Sequence, residues 1–110
     1  MLSKISSTAE SEADGAFRQL SQFTSPIRAI PWYSKLLQAI ESLSQMPKRC
    51  PLARENKYFT KEIRQLLYGT GRNSYRILFT IVEEQEVSII QILHIRHSSQ
   101  QTLGEDPEAT

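Results

Sequence analysis

The sequence predicts an α+β domain, a two-helix hairpin packed on a small antiparallel sheet, and two observations lead there. Residues 63–97 divide into three runs dense in Ile, Val, Leu, Phe, Tyr and Thr, separated by breaks at residues 69–74 and 83–86 that carry Gly, Asn and Ser or consecutive charges. Those residue types fit a pleated surface, and breaks this short force neighbouring runs to pair antiparallel, because a parallel crossover needs a dozen residues or more. Upstream, apolar residues recur at three- and four-residue spacing in two segments, the period of amphipathic helices.

Taken in order, residues 1–7 are short and polar except for Leu2 and Ile5, which fits an edge strand or a frayed end. Ser7 with Glu10 three residues later reads as a capping box, so a helix is expected to start there. Ala9, Ala13, Ala16, Phe17 and Leu20 give that helix one apolar stripe, and it is expected to end near Gln22. Ser25-Pro26 is a second start signal, N-cap followed by a proline in the first helical position. Trp32, Leu36, Ile40 and Leu43, with Tyr33 and Leu37 beside them, form the apolar face of a second helix that reaches about Gln45 before Pro47. Pro31 sits awkwardly inside it and predicts a kink, or a start delayed to Pro31 itself. Residues 48–61 read as an irregular connector with a short helical turn around residues 59–62. Fourteen such residues are long for a compact domain and point to a functional loop.

At 110 residues the chain fits one domain, expected over residues 1–97, with residues 98–110 as a disordered acidic tail. Apolar content of 39% and charged content of 23% are those of an ordinary globular protein. No run suits a membrane helix and the N-terminus lacks a signal-peptide pattern, so no membrane association and a cytoplasmic location are expected. The single Cys50 and two histidines argue against a disulfide or a structural zinc site, and neither metal nor cofactor is expected. The net charge of +1 conceals a concentration of basic residues. Residues 48–76 hold Lys48, Arg49, Arg54, Lys57, Lys61, Arg64, Arg72 and Arg76 against only Glu55 and Glu62. Such a segment attracts phosphates or an acidic partner.

Several strings in this order resemble one family. Cys50-Pro51-Leu52-Ala53, the block Glu62-Ile63-Arg64-Gln65-Leu66-Leu67-Tyr68-Gly69, Tyr75-Arg76 leading an apolar strand, and the ending Leu93-His94-Ile95-Arg96-His97 are similar to the RelE/ParE toxins of type II toxin–antitoxin systems. Ala39-Ile40-Glu41-Ser42-Leu43 before a proline resembles that family too. The resemblance implies a β-α-α-β-β-β order and a cognate antitoxin that neutralises the toxin. It leaves two activities. In the ParE branch the toxin binds and inhibits DNA gyrase and performs no chemistry. In the RelE branch it cleaves messenger RNA on the ribosome, with basic residues, Tyr or His stabilising the charged transition state. Nuclease members carry basic residues two apart on the strand before Tyr-Arg, whereas here Arg64 is followed by Leu66 and Leu67, which favours the ParE branch. A third reading is an inactive family member.

For a nuclease, the candidate catalytic residues are Arg64, Arg76, His94, Arg96 and His97. For a binding toxin, Lys48, Arg49, Arg54, Lys57, Lys61 and Arg72 are the candidate partner contacts. Arg76 also admits a purely structural role, paired with Glu62 or a tail carboxylate. Whether Arg76, His94 and Arg96 share a face depends on the last hairpin, because a slip of one residue reverses every side chain. A turn longer than two residues is expected, which gathers all three.

Overall fold

A computed structural model describes residues 2–69, 71–100 and 103, with backbone only for Leu2 and Arg72. Its elements run β1 (Leu2–Ile5), α1 (Ser7–Phe23), α2 (Pro26–Ser42), β2 (Arg64–Tyr68), β3 (Tyr75–Glu84) and β4 (Val87–His97). The sheet order is β1-β4-β3-β2. The three expected strands form the antiparallel meander, and residues 2–5 are an edge strand lying parallel to the first half of β4. The parallel pairing follows from the crossover, since the whole helix hairpin lies between β1 and the meander.

The first helix begins one residue earlier than its capping box suggests. Ser6 is the N-cap, accepting a 3.0 Å bond from the Ala9 N–H while its own hydroxyl donates to the Leu93 carbonyl at 3.0 Å. One side chain thus ends β1, starts α1 and fastens both to β4. The second helix is capped by Ser25 as expected and runs unbroken through Pro31 to Ser42. Pro31 is exposed, so the carbonyl its missing N–H leaves unpaired faces the solvent side of α2.

The helices cover one face of the sheet. Ala9 and Ala13 of α1 and Leu36 and Ile40 of α2 are buried with Leu43, Cys50, Ile77, Phe79, Ile90, Ile92 and Ile95. Alanines on α1 let that helix approach the sheet closely. Trp32 and Tyr33 are half-buried against this core, with Trp32 packed on Tyr75 and Tyr68 at 5.3 and 5.9 Å between ring centres. The Tyr68 hydroxyl donates to the Trp32 carbonyl.

The connector is more ordered than its composition suggests. It contains 3-10 turns at Pro47–Arg49 and Arg54–Tyr58, not around residues 59–62. Its two ends pair with each other: the Ala53 N–H donates to the Ile63 carbonyl at 2.8 Å and the Gln65 N–H to the Pro51 carbonyl at 3.0 Å. The Asn56 side chain accepts from the Ile63 N–H at 2.8 Å. The segment therefore folds back over the sheet face that the helices leave open, where Ala53, Ile63 and Leu78 make a second small core with Leu93 and Leu103.

The last hairpin departs from its expectation in an instructive way. Its turn is the shorter one, two residues, Gln85 and Glu86 at φ 48° and 67°, between paired Glu84 and Val87. Both left-handed angles match the strand twist of a type I′ turn. Continued without interruption, that register would set His94 opposite Ile77. It does not continue, because a bulge at Leu93 shifts it, and His94 pairs with Leu78 and Arg96 with Arg76. The extra residue supplies what a longer turn would have supplied.

Candidate functional site

The pairing register settles which candidates meet. Arg76 and Arg96 stand directly opposite each other, with His94 opposite Leu78, two residues along β3 from Arg76. These three share the face away from the helices. Arg64 pairs with Phe79 and His97 with Tyr75, both on the helix-covered face. Of the five candidate catalytic residues, the sheet brings together three and separates two.

Arg76 is engaged on its open face. Its guanidinium grips the Glu55 carboxylate through two bonds, 2.8 Å to Oε1 and 2.5 Å to Oε2, and gives a third of 3.1 Å to the Gln65 side chain. Glu55 is fully buried and Arg76 is 3% exposed. The Leu103 N–H adds a 3.2 Å bond to the same carboxylate. The partner of Arg76 is thus Glu55 of the connector, not Glu62, which instead pairs with Arg64 at 2.5 Å. Burial pushes the Glu55 carboxyl up, but the Arg76 bonds and the Leu103 N–H more than offset it and hold the group down at about 2, from an ordinary 4.5.

That depression ties folding to acid. A carboxylate whose folded pKa lies below its unfolded one stabilises the fold above the unfolded value and loses that contribution as pH falls through the folded value. The difference corresponds to about 3 kcal/mol. The urea midpoint should therefore drop between about pH 5 and about pH 2, and Glu55→Gln should flatten this part of the profile. A midpoint in the wild-type chain that stays level over this range would contradict the pairing.

His94 and Arg96 converge on a different carboxylate. Glu12 of α1 lies 3.2 Å from His94 Nδ1 and 3.9 Å from an Arg96 nitrogen, and it accepts the Ile95 N–H at 3.0 Å. β1 stops pairing at Ile92, so beyond that point the edge of β4 has no neighbouring strand among the described residues. Glu12 replaces one at Ile95. His97 packs edge-on against Tyr75 at 5.2 Å, with Nδ1 2.7 Å from the Ser99 hydroxyl.

The basic candidates divide by role. Arg64 donates to the Cys50 and Lys48 carbonyls at 2.7 and 3.3 Å, Arg49 to the Gln45 and Met46 carbonyls at 2.6 and 3.2 Å, and Arg54 to the Gln100 carbonyl at 2.9 Å. These arginines brace the ends of the connector. Lys48, Lys57 and Lys61 are exposed, with Lys57 over the ring of Tyr58. Lys61 stands with His94 in a cleft of about 370 Å³ floored by Ile63, Leu78 and Leu93. The side chain of Arg72 lies outside the described residues. Leu67, on the outer strand β2, is strongly exposed, and among the described residues the connector meets that edge near its start, bridging Leu52 to Arg64 and taking the Gln65 N–H on the Pro51 carbonyl. Among the described residues no group of three or more His, Cys, Asp or Glu could hold a metal ion, and no helix is long and apolar enough to cross a membrane.

Sequence reasoning missed Glu55 and Glu12. Glu55 carried a faint signal as one of two acids in a strongly basic segment, whereas nothing in its own neighbourhood marked Glu12.

Comparison with known proteins agrees with this architecture. A family described as "ParE toxin of type II toxin-antitoxin system, parDE" matches residues 4–102. A solved structure described as "Chromosomal ParDE TA system from P. aeruginosa" superposes with a TM-score of 0.66 at 20% sequence identity, covering 88% of this chain and 95% of that one. No curated protein matches the sequence.

Proposed function

We propose a mode of action from one premise: this chain belongs to the ParE toxin family of type II toxin–antitoxin systems. The toxin acts by binding DNA gyrase and arresting its cycle, performs no chemistry itself, and is neutralised by a cognate antitoxin. It works in the cytoplasm as one unit over residues 1–97, against which Gln100 and Leu103 of the tail also pack.

The observation that carries this reading is the Arg76–Glu55 pair. On the sheet face where a ribonuclease would need a cation free to meet a phosphate, the central arginine directs both terminal nitrogens at a buried carboxylate and Gln65. Freeing it would strand a charge in an apolar setting, at a cost of several kcal/mol. His94 and Arg96 remain near the same face, so messenger cleavage is the competing outcome of the test. For the antitoxin, the open part of the β2 edge offers backbone groups to an added strand, and Lys48, Lys57 and Lys61 offer charge to an acidic segment.

The decisive experiment adds purified toxin to a gyrase supercoiling reaction and, separately, to a translating extract. Loss of supercoiling with intact messenger is expected, and a small acidic protein encoded next to the toxin should restore supercoiling when added. Cut messenger with normal supercoiling would replace this reading with the nuclease one, and no effect on either would leave an inactive member.

A further inference from the structure

We propose that residues 57–61 of the connector, with the cleft they wall, bind single-stranded DNA, one base lying against the Phe59 ring and phosphates meeting Lys57 and Lys61. The choice of DNA over RNA rests on the gyrase reading; the site itself does not. Charge is the first observation. Between residues 48 and 61 the connector carries Lys48, Arg49, Arg54, Lys57 and Lys61, all exposed, and a single acid. That acid is Glu55, fully buried and held by Arg76. The exposed charge of the segment is therefore all positive, and its three lysines enter no ion pair among the described residues. A run of phosphates complements such a surface.

The second observation is aromatic. Residues 57–61 read Lys-Tyr-Phe-Thr-Lys, and every one is exposed. Tyr58 and Phe59 are 42% and 44% exposed, whereas Ala53 and Ile63 on either side are buried. The Lys57 ammonium stands 5.2 Å from the centre of the Tyr58 ring. Phe59, Thr60 and Lys61 line the same cleft as His94, facing Ser6 and Thr8 at the start of α1, and no carboxylate lines it among the described residues. The aliphatic floor and the Phe59 ring suit the flat faces of a base. Lys61, His94 and the positive end of the α1 dipole suit its phosphate. An acidic protein segment would use the lysines and leave both rings in water, whereas unpaired bases use rings and lysines together, because every base has a face to stack. In a duplex those faces are already covered, so the site selects single strands. An acidic antitoxin segment meets the same lysines, so antitoxin and DNA compete here.

Fluorescence anisotropy of a labelled oligothymidylate titrated with the full chain tests it. The expected dissociation constant is on the order of 10 µM at about 50 mM salt, weakening about tenfold by about 200 mM as two to three phosphate contacts release counterions. Phe59→Ala should weaken binding about tenfold. Phe59→Leu, which keeps the apolar bulk and removes the ring, should do the same, a loss that poorer packing would not give. Lys57→Gln combined with Lys61→Gln should lower the affinity and flatten the salt dependence by more than half. These positions are exposed, so the urea midpoint should stay at the wild-type value in each variant. Absence of binding at about 100 µM protein overturns the proposal, and so does a matched duplex or polyglutamate bound as tightly, since charge alone would then suffice. An oligouridylate bound more than about tenfold tighter also overturns it, as the mark of a site built for the ribose hydroxyl. The gyrase reading is judged by supercoiling and stands or falls apart from these outcomes.

Discussion

Arg76→Ala should destabilise the fold by about 3–5 kcal/mol, because it leaves the fully buried Glu55 carboxylate without its cation. In a domain whose total stability is on the order of 5–15 kcal/mol, that leaves a large unfolded fraction at 37 °C. Equilibrium urea unfolding measures it directly. The double variant Arg76→Met with Glu55→Leu should recover most of the loss, since an apolar pair of similar volume replaces two desolvated charges. The pair of variants also separates stability from function. Arg76→Ala should abolish toxicity in cells under either mode of action, through unfolding. The double variant should keep it if the toxin acts by binding, whereas a nuclease that needed the Arg76 guanidinium would stay dead despite being folded. A loss below about 1 kcal/mol in the single variant would mean that the charge is not sequestered as the geometry has it.

The order of elements was legible because each signal is local. Apolar spacing marks the helices, Ser25-Pro26 marks a start, and the runs of residues 75–82 and 87–97 carry their own strand preference. The register of β4 was not legible. It is fixed by the bulge at Leu93, and no local feature sets Leu93 apart from Ile92 or His94. What holds the bulge is tertiary: Ser6, almost ninety residues earlier, donates to the Leu93 carbonyl. The gathering of Arg76, His94 and Arg96 was therefore anticipated through the wrong device, a longer turn, and obtained through another.

The partners of the site residues were hidden for the same reason. Arg76 was recognisable as a residue of consequence, and a structural ion pair was one of its readings, but Glu55 becomes its partner only once the connector folds over the sheet. That fold-back depends on the Ala53 N–H donating to the Ile63 carbonyl, on the Gln65 N–H donating to the Pro51 carbonyl and on the Asn56 side chain accepting the Ile63 N–H. Composition made the connector look irregular because such side-chain and backbone contacts leave no periodicity. Glu12 is harder still, since it serves a backbone N–H left open where β1 ends, and the position of that end is a property of the sheet.

Phe79→Ala is expected to cost about 3–5 kcal/mol, the range for emptying a fully buried aromatic site. Its position makes the consequence more than a cavity. Phe79 pairs with Ile92 and Leu78 with His94, so the two residues flank the bulge and are buried on opposite faces, Phe79 beneath the helices and Leu78 beneath the connector. The register shift is clamped from both sides, and removing Phe79 releases the helix-side clamp. Besides a lower urea midpoint, hydrogen exchange at the Ile95 amide should accelerate, because its bond to Glu12 requires the shifted register. Val87→Ala, at the exposed start of β4, should stay within about 0.5 kcal/mol of wild type and leave that amide protected. If Phe79→Ala lowered stability while the Ile95 amide kept the protection of the rest of β4, the bulge would be held by Ser6 and the connector alone, and Phe79 would be core and nothing more.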